Sequence, residues 1–132
     1  MQGPPSPDQP KPVRWVGSSR EDLSGFPEEV RRRFGGALWE AQIGGKADYA
    51  KPLKGFGDAS VLEIVDDFDG DTFRTVYTVR FPKMVYVLHA FQKKSKRGVA
   101  TPKGDLELID RRLKRAQQDY EHWSKIEKLK SR

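Results

Sequence analysis

The sequence predicts an α+β domain: an antiparallel sheet with its helices on one side, an N-terminal pair and a C-terminal one, in the order βααβββα. Three observations carry this prediction. Runs rich in β-branched and aromatic residues fill Ser60 to Gln92. Two turn signals, Asp69-Gly70-Asp71 and Pro82-Lys83, join those runs locally. Apolar residues recur at three-to-four spacing on either side, from Val30 to Ala41 and from Leu106 to Ala116.

The elements follow in order. Met1 to Pro12 carries five prolines and no periodic pattern, so residues 1–12 are expected to form an extended, disordered tail. Val13 to Val16 reads as a short strand that Gly17-Ser18 ends. Ser18 or Ser19 is placed to cap a short helix at Arg20 to Leu23. Pro27, with Glu28 and Glu29 behind it, opens an amphipathic helix that runs to Ile43 and stops at Gly44-Gly45. The Gly35-Gly36 pair inside it predicts a kink or a close packing contact. Lys46 to Ala59 reads as a loop, and Ser60 to Phe68 as a strand. Phe73 to Phe81 is a second strand, with Phe73, Thr75 and Tyr77 on one face and Arg74, Val76 and Thr78 on the other. Met84 to Gln92 is apolar on both faces, as a central strand is. Thr101-Pro102 starts the last helix. The domain is expected to span 13–124, and a basic end, 125–132, to fray.

Composition bounds the function. The 132 residues allow one domain with one core. There is no cysteine, which excludes disulfides and thiolate metal sites and fits a reducing cytoplasm. No apolar run approaches the ~20 residues of a membrane helix, the N-terminus lacks the apolar stretch of a signal peptide, and no membrane partner is expected. The net charge of +6 is unevenly spread. From Lys83 onward there are 14 Lys and Arg against 6 Asp and Glu; the part before it is slightly acidic. Such asymmetry points to a polyanion, or to an acidic protein that shields the basic half; a merely solvated face is the alternative.

The chemistry-bearing residues cluster between Phe73 and Arg97. Lys93, Lys94, Lys96 and Arg97 follow directly on the last strand, where they are better positioned to hold a phosphate than on a free tail. Arg74 stands on a sheet face beside apolar strands. Burying its charge is costly without an anion, which is either a phosphate or one of Glu63, Asp66 and Asp67 across the hairpin. His89 is a candidate for proton transfer, although a histidine within VYVLHAF is more often structural. Lys51 and Lys54 flank Pro-Leu in a glycine-rich loop, where they are candidates to touch an RNA backbone, the alternative being plain loop lysines. Two histidines and no cysteine make no zinc set, and no phosphate-binding glycine loop or calcium loop occurs. Catalysis, if any, is expected to need no metal or other cofactor.

The stretch KPLKGFGDASVLEIVDDFDGDTFRTVYTV, followed by VYVLHAFQKKSKRGVATPKGDLELIDRRL, resembles the phage-derived HigB-like branch of the RelE toxin superfamily. The resemblance covers Val13 to Tyr120, and LHAFQKKSKRGVATP is its most specific part. It implies a RelE-like fold and the toxin of a type II toxin–antitoxin pair. It further implies a ribosome-dependent mRNA endonuclease in which the RNA's own 2′-hydroxyl attacks the adjacent phosphate. A helix-turn-helix antitoxin, the ribosome and mRNA are the implied partners, with operator DNA reached only through the antitoxin. On this basis Arg74, Lys93 and His89 are the expected catalytic residues, and Lys54, Lys94, Lys96 and Arg97 the expected RNA-binding ones. The chain departs from RelE in having Glu63 and Asp66-Asp67 where RelE is basic, and in lacking a tyrosine between Ser95 and Asp105. A ParE-like gyrase inhibitor and a non-enzymatic RNA-binding phage protein are the alternatives.

Overall fold

The structure, a computed structural model, describes residues 5–93 and 101–131. The elements are β1 (Val13–Trp15), α1 (Ser19–Ser24), α2 (Glu28–Gln42), β2 (Ala50–Pro52), β3 (Val61–Phe68), β4 (Asp71–Thr78), β5 (Val85–Lys93) and α3 (Lys103–Lys130). They form a five-stranded sheet in the order β1-β5-β4-β3-β2. The β5-β4-β3-β2 part is antiparallel, as expected; β1 runs parallel to β5. A fifth strand, β2, lies in what the sequence presents as a loop. It is three residues long and sits at the sheet edge, where Pro52 costs no internal ladder bond.

The β3–β4 hairpin turns on Asp69 (φ 52°) and Gly70 (φ 86°). Two consecutive left-handed residues twist with the strands, which is why Asp-Gly suits this position. Val30, Phe34, Ala37, Leu38 and Ala41 of α2, with Leu23 of α1, close over Leu62, Ile64, Phe73, Tyr77, Val85 and Val87. The helices are not all on one side, however. Alternation leaves Val61, Val76, Tyr86 and Leu88 on the second face, and Ile109, Leu113 and Ala116 of α3 cover them. Gly36 provides the close contact expected of the glycine pair: a Cβ there would lie 3.4 Å from the Tyr49 hydroxyl oxygen.

The ends differ from the sequence expectation. Within the segment expected to be a tail, the Lys11 amide donates to the Gln42 carbonyl (2.8 Å), and Pro12 accepts from the Val85 amide (3.0 Å). Helix α3 continues to Lys130, through the region expected to fray. Ser18 occupies the N-cap position of α1, but its hydroxyl donates to the Asp22 carboxylate (2.7 Å) instead of capping the backbone.

One irregularity places the site. Val76 pairs with His89 while Tyr77 pairs with Val87, so Leu88 is an extra residue in β5, a β-bulge. Beyond it the alternation reverses. Val85 and Val87 face α1 and α2, whereas His89 joins Val76 on the α3 face.

Candidate nucleic-acid interface

The α3 face of the sheet ends in a groove of about 620 Å³. Its floor comes from Glu63 and Val65 of β3 and Arg74 of β4. Lys51, Leu53 and Lys54 form one wall; Thr101 and Leu106, at the start of α3, form the other. Over Lys54 and Leu106 it continues into a shallower depression of about 420 Å³ that Lys103 and Arg111 also line. The result is a track with the Arg74–Glu63 pair on its floor and lysines along one wall, leading to a depression where Lys103 and Arg111 stand beside Glu107 and Asp110; grooves with such cations can follow a nucleic-acid strand.

Arg74 is the buried cation of this groove, at 5% exposure. Pairing sets its position: β3 and β4 oppose Arg74 to Val65 and Val76 to Glu63, so both charged side chains emerge on the α3 face. The Arg74 Nη1 donates to Thr101 Oγ1 (3.2 Å) and to Glu63 Oε2 (3.4 Å), and the Thr101 hydroxyl donates to the same carboxylate (3.4 Å). Of the acidic partners open in the sequence, Glu63 is the one that meets Arg74. Among the described residues, the guanidinium is positioned by the Glu63 carboxylate and the Thr101 hydroxyl.

Lys54 lines the groove as expected. Lys93 ends β5 opposite Thr72, two residues beyond the Arg74–Phe91 pair and on the same face. Lys94, Lys96 and Arg97 lie outside the described residues. Arg80 is outside the groove lining: its Nε donates to Ser60 Oγ (3.0 Å), and Asp58 lies 3.6 Å away.

His89 does not join the groove. It is buried, and its Nε2 lies 2.8 Å from Asp105 Oδ1 of α3. Its Nδ1 lies 3.4 Å from Arg112 Nη1, also of α3. A guanidinium can only donate, so Nδ1 accepts and Nε2 carries the proton given to Asp105. Phe91 stacks on the ring, with centroids 4.6 Å apart. With both nitrogens engaged, His89 fastens α3 to the sheet, and the structural alternative for VYVLHAF fits this geometry better than proton transfer does.

Sequence reading missed four groove residues: Glu63, Thr101, Tyr49 and Arg33. Glu63 figured only as a possible ion-pair partner, although a carboxylate between the apolar Val61 and Val65 on one strand face was a visible signal. Thr101 was read only as a helix start. Tyr49 carried no signal; its ring lies 3.9 Å from the Arg33 guanidinium carbon, and its hydroxyl donates to the Arg33 carbonyl (2.8 Å).

A sheet with this order, two helices on one face and a C-terminal helix on the other, is a RelE-like α+β fold. The structure aligns with that of the E. coli toxin RelE, an arginine-substituted mutant in the free state, at a TM-score of 0.51 and 17% identity, over 80% of this chain and 97% of that one. It also aligns with a chain of the toxin–antitoxin complex RelBE2 of Mycobacterium tuberculosis, at a TM-score of 0.39 and 20% identity, over 65% and 94% of the respective chains. No curated protein matches the sequence. Residues 21–114 match the family described as phage derived protein Gp49-like, and the chain belongs to that family.

Proposed function

We propose that this chain is the toxin of a type II toxin–antitoxin pair and cleaves mRNA on the ribosome by 2′-hydroxyl attack on the scissile phosphate. The observation that carries the reading is the adjacency of Arg74 and Glu63 on the floor of a groove that Lys51 and Lys54 line. Membership of the phage-derived family and the RelE-like fold support it.

The chemistry follows from that pair. A bound phosphodiester competes with Glu63 for the Arg74 fork, and Arg74 then stabilises the extra charge of the pentacoordinate phosphorane. Glu63, released from Arg74 but still beside it, accepts the proton of the attacking 2′-hydroxyl. Lys93 gives an ammonium proton to the 5′-oxygen as its bond to phosphorus breaks, which leaves a 2′,3′-cyclic phosphate, and Lys94 adds positive charge to the same phosphate. Arginine and lysine supply the charge, so the scheme needs no metal. His89 has a positioning role, in place of the catalytic one expected from the sequence. Lys51, Lys54, Lys96 and Arg97 hold backbone phosphates. A helix-turn-helix antitoxin with an acidic segment would silence the toxin by covering the same cations, and the pair would reach operator DNA through the antitoxin. The cytoplasm is the compartment this activity requires.

The test is induction in growing cells, with mapping of mRNA 5′ ends. Codon-phased cuts in translated messages are expected, and Arg74→Ala and Glu63→Gln should each abolish them while keeping the fold. Growth arrest without cuts but with altered plasmid supercoiling would replace this reading by gyrase inhibition. Undiminished cleavage by both variants would overturn the site.

A further inference from the structure

The groove holds more than phosphate-binding cations. Arg33 of α2 and Tyr49 line it along with Arg74, at the end formed by Pro52 and Leu53. The Arg33 guanidinium carbon sits 3.9 Å from the Tyr49 ring centroid, a stacking distance. Tyr49 is itself fixed: its hydroxyl donates to the Arg33 backbone carbonyl (2.8 Å), and Gly36 leaves room for it against α2. Among the described residues, the carboxylate within ion-pair distance of the guanidinium is Asp66, whose Oδ1 lies 3.9 Å from Nε, the limit of an ion pair. The Arg33 side chain remains 42% exposed. A guanidinium centred over an aromatic ring at this distance, still partly exposed and lining a groove, is a candidate surface for a planar π-system. Single-stranded RNA bases are commonly gripped on arginine planes as well as on aromatic rings.

We propose that Arg33, held by Tyr49, is a nucleobase platform. The base flanking the scissile phosphate stacks on the outer face of its guanidinium while the phosphate sits at Arg74. This extends the RNA reading above and gives the groove a direction: base toward the β2 edge, phosphate toward the sheet floor. It also makes Arg33 and Tyr49 determinants of which nucleotide is preferred.

The probe is adenosine 5′-monophosphate compared with ribose 5-phosphate, titrated into the intact chain and followed by NMR on the Tyr49 ring and Arg33 side chain. The monophosphate should bind roughly tenfold tighter, the order expected for one stacked base, and should move the Arg33 signals upfield by ring current. Arg33→Lys keeps the charge and removes the plane. It should bind ribose 5-phosphate as the parent does and lose the preference for the nucleotide. Equal binding of the two probes by the parent chain, binding of neither, or a preference that survives Arg33→Lys would each overturn the platform. These outcomes are independent of cleavage. A chain that shows the preference but cuts no message would sink the nuclease reading and leave the platform standing.

Discussion

Arg112→Met tests the device that holds α3 against the sheet. Arg112 is 9% exposed and lies in the middle of the helix. Its Nη1 donates to the carbonyl of Leu88, the bulged residue (2.9 Å), and approaches His89 Nδ1 (3.4 Å). Its Nη2 donates to Ser18 Oγ (3.3 Å), which in turn donates to Asp22. No carboxylate lies within ion-pair distance of this guanidinium among the described residues, and burial lowers its pKa, with Asp22 opposing the shift. Methionine keeps most of the aliphatic stem. It removes one short charge-assisted bond, worth about 1.5–3 kcal/mol, and two long ones of lesser value. Against that, a desolvated charge is relieved, which offsets part of the loss. The expected net destabilisation is about 2 kcal/mol. With a urea m-value of about 2 kcal/mol/M, the unfolding midpoint should fall by about 1 M. Equilibrium urea unfolding followed by circular dichroism measures this. An unchanged or raised midpoint would mean that desolvation outweighs the bonds, and would refute the claim that Arg112 fastens α3 to the bulge.

Three further outcomes are expected. Tyr77 is fully buried, its hydroxyl has no hydrogen-bond partner among the described residues, and burial pushes its pKa up to about 12. Tyr77→Phe should therefore be neutral or stabilising by up to about 1 kcal/mol at pH 7. It should also flatten the alkaline limb, because the parent's contribution is complete below the unfolded value near 10 and is lost between there and about 12; thermal melts across that range check both. Gly17 has φ +59°, and a Cβ there would lie 2.8 Å from the Arg112 guanidinium. Gly17→Ala should cost at least ~1–2 kcal/mol from the left-handed backbone alone, and less in an Arg112→Met background than in the parent, which a double-mutant cycle reads. For Asp119, burial works against the charged form, yet bonds from Tyr86 (2.6 Å) and Arg14 (2.7 Å) bring its pKa below the usual carboxylate value. A lowered folded pKa contributes stability above the unfolded value near 3.9, lost as pH falls through the folded one. Asp119→Asn should accordingly flatten the acid limb below about pH 4 in a pH-dependent melt.

The long elements were legible because each carries a strong period. Val30 to Ala41 and Leu106 to Ala116 bury the stripes their spacing marks, and Asp69-Gly70 turns the hairpin its chemistry demands. Pairing by neighbours was legible too. The parallel strand β1 was not paired by reading, because a three-residue strand joining from a distance leaves no local mark. β2 was invisible for a similar reason: Ala50–Pro52 takes its strand character from lying beside Leu62–Ile64, not from its own residues. In the site, Arg74 and Lys54 stood out as cations where burial or a loop needed explaining. Glu63 and Thr101 did not, because their significance lies in which face of the sheet and which end of α3 they occupy. Arg33 and Tyr49 are 16 residues apart in sequence and meet only through the packing of α2 against the β2 edge.

The bulge at Leu88 is the step that joins fold to function. In an unbroken strand, residues 85, 87, 89, 91 and 93 share one face. Val85 and Val87 belong to the α1 and α2 core, so without the bulge His89, Phe91 and Lys93 would follow them there. Lys93 would then stand on the opposite side of the sheet from Arg74. The single inserted residue instead puts His89, Phe91 and Lys93 on the α3 face, opposite Val76, Arg74 and Thr72. Helix α3 is fastened at that very point, by Arg112 on the Leu88 carbonyl and by Asp105 on His89. The same helix begins just after Thr101, which bridges Arg74 and Glu63. One insertion therefore sets the side of the sheet on which the basic end of β5 emerges, and its partner helix sets the wall of the groove. Substitutions at Leu88 or Arg112 should reach the groove through α3 without touching any residue that would meet RNA.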